Sequence, residues 1–227
     1  MRGTTVSPTR TTVPDLLGIT LMHRLMRTDL HRLTDAAERI ATGDAPCSDR
    51  RAAALTGWVL LLCDEIHHHH RAEDEIAWPV IARFAASSVD LAVLSDDHSV
   101  LDPLLDLVRA SADGFAATTG NDARRVAAAG LQQNLARIRD EIDEHLDAEE
   151  ASLFPVIEAH VPVAEWEQVD EQVRRGGPGM RFTLPRMAGV ATPDEWARLR
   201  AAAGPVLGVL IALMRPAHRR RERLVFG

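Results

Sequence analysis

His69-His70-Arg71-Ala72-Glu73-Asp74-Glu75-Ile76-Ala77-Trp78-Pro79-Val80-Ile81 returns further along the chain as His145-Leu146-Asp147-Ala148-Glu149-Glu150-Ala151-Ser152-Leu153-Phe154-Pro155-Val156-Ile157. Both stretches read H-x-x-A-E-acid-x-x-x-aromatic-P-V-I. His and Glu stand four apart in each, a spacing that projects both side chains from one face of a helix. Apolar residues extend that face at three- and four-residue steps. The first copy gives Val59, Leu62, Ile66, His69, Glu73, Ile76 and Val80; the second gives Leu131, Leu135, Ile138, Ile142, His145, Glu149, Ser152 and Val156. The stripes turn one His and one Glu of each copy inward, among Leu and Ile. A buried carboxylate and imidazole without partners are costly there, so something must compensate for them.

Two more helices frame these. One runs from about Asp15 to Thr42 with Leu16, Ile19, His23, Met26, Leu30, Leu33, Ala37 and Ile40 on its apolar face. The other follows Ser87-Ser88 and carries Leu91, Leu94, His98, Leu101, Leu105 and Val108. Ser48 reads as the N-cap of the second helix and Asn121 as that of the fourth. Pro79 should kink the second helix, and Pro103 should kink or restart the third at Asp102. Four long amphipathic helices with short loops predict an all-α, up-down-up-down four-helix bundle over residues 14–160. Residues 161–227 read as a short C-terminal helical extension. It contains a short helix over Pro162–Arg174, a break at Arg175–Gly179, a capping box from Thr192 to Glu195, and an apolar segment, Pro205–Met214, ahead of Arg215 and Arg219–Arg221. That last segment could lie on a membrane interface; the expectation is that it packs on the bundle or joins two copies in a homo-oligomer.

Composition narrows the function. The 227 residues hold 26 basic side chains, all Arg, against 33 acids and 10 His, for a formal charge of −7. An acidic surface is a poor match for nucleic acid. Two cysteines, Cys47 and Cys63, make no disulfide framework and point to a reducing cytoplasm. The opening Met1–Arg10 lacks the apolar core of a secretory signal, and no apolar run is long enough to span a membrane. Cys63 reads as a small core residue.

Ten His in so short a chain require an account. His23 precedes His69 by 46 residues and His98 precedes His145 by 47, so each upstream helix supplies one inward His. A single inward His is ordinarily a hydrogen-bonded core residue; four at matched depth, two with Glu at one spacing, suit a shared ligand better. His23, His69, Glu73, His98, His145 and Glu149 are the candidate metal ligands. Imidazole with carboxylate suits iron, and also zinc or manganese. Within His67-His68-His69-His70, the register turns only His69 inward; His70 lies on the flank as an outer partner or a fifth His ligand, and His67 and His68 face solvent or helix neighbours. His31, His160 and His218 read as surface or packing residues, and Trp58 and Trp78 as packing at the bundle ends.

Ferritin-type bundles use Glu-x-x-His with isolated Glu residues; here His comes first, the gap is four, and the isolated residues are His. With His23, His69-x-x-x-Glu73, His98, His145-x-x-x-Glu149 and the following Pro79 and Pro155, the sequence resembles the hemerythrin-like proteins of the HHE cation-binding family. The resemblance implies two non-haem irons in the bundle, bridged by Glu73 and Glu149 and by oxo or hydroxo groups. Oxygen-carrying hemerythrins use five His; unless His70 is the fifth, this chain departs from them. The resemblance further implies binding or sensing of O2, nitric oxide or peroxide. Peroxide disproportionation, reduction of O2 or nitric oxide, and iron handling are the other activities open to such a centre. The chain has no Tyr to relay a radical or donate a phenolate.

Overall fold

The computed structural model describes residues 13–176 and 179–227. Met1–Arg10, read above as no secretory signal, and Gly177-Pro178 of the expected break lie outside them. The described residues form nine α-helices and one π-helical turn, with no strand. The bundle is built from α1 (Leu17–Thr42), α2 (Asp49–Ala72), the π turn Glu73–Ala77, α3 (Trp78–Ala85), α4 (Leu91–Ala117) and α5 (Asn121–His160). Behind it come α6 (Val163–Gly176), α7 (Met180–Val190), α8 (Pro193–Ala203) and α9 (Pro205–Phe226).

The helix ends follow local chemistry. Ser48 caps α2, its side chain accepting from the Arg51 amide at 3.2 Å. Gly43 closes α1 at φ 87°, in the left-handed region that Gly enters without strain. The cap of α5 differs from expectation: Gly120, at φ 86°, precedes the helix, and Asn121 is its first residue without a side-chain cap. The thread from Ala117 into α5 needs that positive φ, which Asn121 does not supply. Pro103 does not restart a helix at Asp102; α4 runs unbroken through it. Pro79 is accommodated by the π turn just before it, where the Trp78 amide bonds back to the Glu73 carbonyl. Pro155 holds the same place in an unbroken α5, so proline alone does not make that turn.

The apolar stripes form the core. Met26, Leu30, Leu33, Trp58, Leu62, Ile66, Leu101, Leu105, Phe115, Leu131, Leu135 and Ile138 form one buried cluster running from mid-bundle towards the α1–α2 and α4–α5 loops. A second cluster, with Leu16, Trp78, Ile81, Leu94, Leu153, Ile157 and Trp166, closes the other end. Beyond Glu73 and Glu149 the inward register differs from the expected one: Ala77, Ile81, Leu153 and Ile157 are buried, while Val80, Ser152 and Val156 are not. The π turn shifts the first copy by one residue; steps of four from Glu149 do so in the second.

Helix α5 packs along α1 and α4, and α4 along α2, but α1 and α2 meet only sparsely. Helices α7 and α9 fill that seam. Their anchor is a buried polar network. Arg186 of α7 donates from Nε to Asp29 Oδ2 and from Nη1 to Glu65 Oε2, both at 2.8 Å. Thr183 donates to the other Glu65 oxygen at 2.8 Å, and Trp58 Nε1 donates to Asp29 at 2.5 Å. Trp58 is thus a fully buried mid-bundle residue, against the expectation of end packing. Helix α9 lies across it, with Phe226 edge-on to Trp58 at 5.0 Å and Arg51 donating to the Val225 carbonyl. The thiol of Cys63 is buried in the core, and burial pushes its pKa up to about 12. No single helix among the described residues is long and apolar enough to cross a membrane.

Candidate metal centre

Every residue singled out from the repeat reaches one place between the two core clusters. Helix α1 brings His23, α2 brings His69, the π turn Glu73, α4 His98, and α5 both His145 and Glu149; all are buried. His70 joins them. It is 2% exposed, stacks on His98 at 4.3 Å between ring centroids, and meets His145 edge-on at 5.3 Å. A flank position for His70 is therefore corrected: His69 and His70, one step apart on α2, straddle the inward direction.

The donor atoms fall into two groups. His23, His69, Glu73 and Glu149 each offer one atom within 4.8 Å of the others, and so do His70, His98 and His145. The carboxylates stand between: Glu73 Oε1 is 3.1 Å from His69 Nε2 while Oε2 is 3.6 Å from His98 Nε2. Glu149 Oε2 is 3.8 Å from both His23 Nε2 and His145 Nε2. Among the described residues, eleven of the eighteen buried side-chain N and O atoms that lack a hydrogen-bond partner belong to these seven residues. Burial and the crowding of imidazoles hold His69 and His70 well below the ordinary imidazole pKa, and lower His145 to about 4. Burial first, then the Glu149 carboxylate, pushes Glu73 well above the usual carboxylate range. Buried imidazole nitrogens without hydrogen-bond partners, beside two carboxylates that repel one another, form a donor set suited to a divalent cation. Seven donors arranged two imidazoles to one side, three to the other and two carboxylates between fit a pair of such ions.

The remaining letters of the repeat act one layer out. Glu150 Oε1 lies 2.9 Å from His23 Nδ1, and Asp74 Oδ2 lies 3.0 Å from His98 Nδ1. Each contact holds Nδ1 at the carboxylate, turns Nε2 inward and fixes the ring. Four residues on from each acid, the motif's aromatic covers the same imidazole. Phe154 stacks on His23 at 5.9 Å, and Trp78 on His98 at 6.2 Å. Trp78, like Trp58, is thus not merely end packing. Each copy of H-x-x-A-E-acid-x-x-x-aromatic supplies its own His and Glu, and orients the lone His of a neighbouring helix with its acid and aromatic. Ser95 steadies Asp74 through a 2.6 Å hydrogen bond. These orienting roles were not read from sequence, although the recurrence of acid and aromatic in both copies was the available signal. His67 pairs with Asp102 on the surface, His31 with Asp143, and His218 packs on Trp58, all outside the centre.

A sequence model of the family described as Hemerythrin HHE cation binding domain matches the chain twice, over residues 18–129 and 115–222. The first match holds the His69 copy of the repeat and the second the His145 copy. No curated protein and no solved structure matches.

Proposed function

We propose, for a chain that belongs to the hemerythrin HHE cation-binding family, a dinuclear non-haem iron centre that binds or senses O2, nitric oxide or peroxide. One observation carries the reading: eleven unpartnered side-chain N and O atoms, from five His and two Glu, gathered at a single buried point. In this reading His23 and His69 hold one ion, His70, His98 and His145 the other, and Glu73 and Glu149 span both. Manganese and zinc suit the same donors. Iron would supply electrons to a small oxidant, and the side with two imidazoles leaves more room for one than the side with three. The fifth imidazole, His70, removes the departure from the oxygen-carrying hemerythrins that a four-His set implied. The protein's own part is to hold five imidazoles and two carboxylates in a dry pocket, to fix two rings through Glu150 and Asp74, and to exclude bulky reductants. The bundle over 14–160 would carry the centre, with 161–227 bracing it, and the two free thiols favour a cytoplasmic setting.

The test is anaerobic reconstitution with Fe(II), followed by metal analysis and optical spectra before and after O2 and peroxide. About two irons per chain and a near-ultraviolet absorption that appears with oxidant are expected; iron at trace level would refute the centre. Steady O2 evolution from peroxide would instead make the protein a peroxide-disproportionating enzyme. Rapid loss of iron to a mild chelator would make it an iron-handling protein.

A further inference from the structure

Helix α9 carries a third His-x-x-x-Glu step, His218 and Glu222, whose Nε2 and Oε2 stand 3.7 Å apart. This pair does not reach the donor cluster. It lines instead a cavity of about 300 Å³ between α1, α7 and α9. There the cations that answer the acids are guanidinium groups. Arg32 donates to Glu222 Oε1 at 2.8 Å, and Arg186 donates to Asp29 Oδ2 at 2.8 Å. Both acids of the lining are thus paired within the chain. Two more Arg of the lining, Arg215 and Arg219, take part in no ion pair among the described residues. His218 makes no hydrogen bond among them through either ring nitrogen, although an imidazole, neutral or charged, has an N–H to give.

Arg215, His218 and Arg219 share one face of α9, because steps of three and four residues return to the same side of a helix. Leu25 of α1 and Pro185 and Val190 of α7 add apolar wall from the other two helices. The volume is at the lower end of the range for small-molecule sites. We propose that this cavity binds a small organic dianion with an apolar body. Its two charges meet Arg215 and Arg219, whose planar N–H groups match carboxylate and phosphate oxygens. The body lies against Leu25, Pro185 and Val190, and His218 donates one hydrogen bond. An anion held this way ties α9 to α1 and α7. None of the seven donor residues lines the cavity, so the site is separate from the metal centre.

Isothermal titration calorimetry on the full chain tests it, with phthalate and phenyl phosphate as probes. One site per chain is expected, with a Kd of about 10 µM to 1 mM for the better probe. Preference for one of the two names the acid that the site takes; neutral benzamide should not bind. Arg215 and Arg219 are exposed, so Arg215→Gln with Arg219→Gln should keep the parent's circular dichroism and weaken binding ~tenfold or more. Gly189 also lines the cavity, and a Cβ there would meet nothing within 4 Å. Gly189→Leu therefore adds bulk at the site without changing charge, and should weaken binding too. Arg200→Gln with Arg223→Gln removes two exposed charges that do not line the cavity, and should leave binding unchanged. No saturable binding of either probe, or equal binding of benzamide, would overturn the proposal. So would unchanged binding in either of the first two variants, or an equal loss in the third.

Discussion

Glu150 and Asp74 show how one letter of a motif works at a distance. Each follows a carboxylate that faces the centre, yet each turns to the His of another helix, Glu150 to His23 and Asp74 to His98. The His23 contact and the nearby Arg27 hold the Glu150 carboxyl below the usual carboxylate range. Both acids are about one-third exposed, so removing either leaves no buried charge behind. Glu150→Ala and Asp74→Ala are therefore expected to fold normally and to bind metal ~10–100-fold more weakly, the usual cost of losing an outer partner of a ligating His. Chelator competition on the purified variants measures this; affinity within twofold of the parent would deny the orienting role. The donors nearest the centre were legible in sequence because a four-residue step on a helix has one geometric meaning. The acid and the aromatic were not, because they point across to α1 and α4, and which helices adjoin is not written in either copy. His70 was half legible: a hundred degrees from His69, its direction is decided by where the bundle axis passes.

Among the elements, the four long helices were readable from their stripes, and α7 was not. Met180–Val190 contains Pro185 inside the helix, two buried polar residues and an exposed Met180, a pattern with no clean apolar face. What places it is Arg186, whose partners Glu65 and Asp29 lie 121 and 157 residues away. An Arg in a stretch without a clean apolar face reads as a solvated charge until those partners are known. The π turn was equally hidden, since the second copy of the repeat has the same spacing and proline without it. Arg186→Ala would leave the buried Asp29 and Glu65 without their guanidinium, with only Trp58 and Thr183 still donating to them, and should cost about 3–5 kcal/mol. Urea unfolding measures the loss, and proteolysis should then cut within α7–α9 before the bundle. Replacing the group together, as Arg186→Met with Asp29→Leu and Glu65→Met, should cost much less, because no buried charge remains. A single-variant cost below about 1 kcal/mol would mean that α7 is held by its apolar contacts, such as Phe182 on Trp58.

For the molecule as a whole, the centre is a weak point of the metal-free fold. Glu149 is fully buried and neither of its carboxylate oxygens has a hydrogen-bond partner. Around it stand imidazoles whose lone pairs are likewise unmet, in the gap between the two apolar clusters. A bound cation would repay that desolvation, so metal and fold stability are linked: whatever binds the folded chain alone stabilises it. The linkage has a sign that a single substitution exposes. Glu149→Leu keeps the volume and removes the buried carboxylate, so the metal-free variant should be more stable than the metal-free parent, by ~1–4 kcal/mol on the precedent of buried polar groups replaced by apolar ones. The same variant should lose the rise in melting temperature that iron confers on the parent, since the spanning carboxylate is gone. Calorimetry of both proteins, chelated and iron-loaded, gives four melting temperatures. The expected order places the loaded parent highest, the chelated parent lowest, and the variant between them at one temperature with or without iron. A chelated variant melting below the chelated parent would mean that Glu149 already stabilises the empty bundle, and that the cluster is a structural network rather than a site held open for metal.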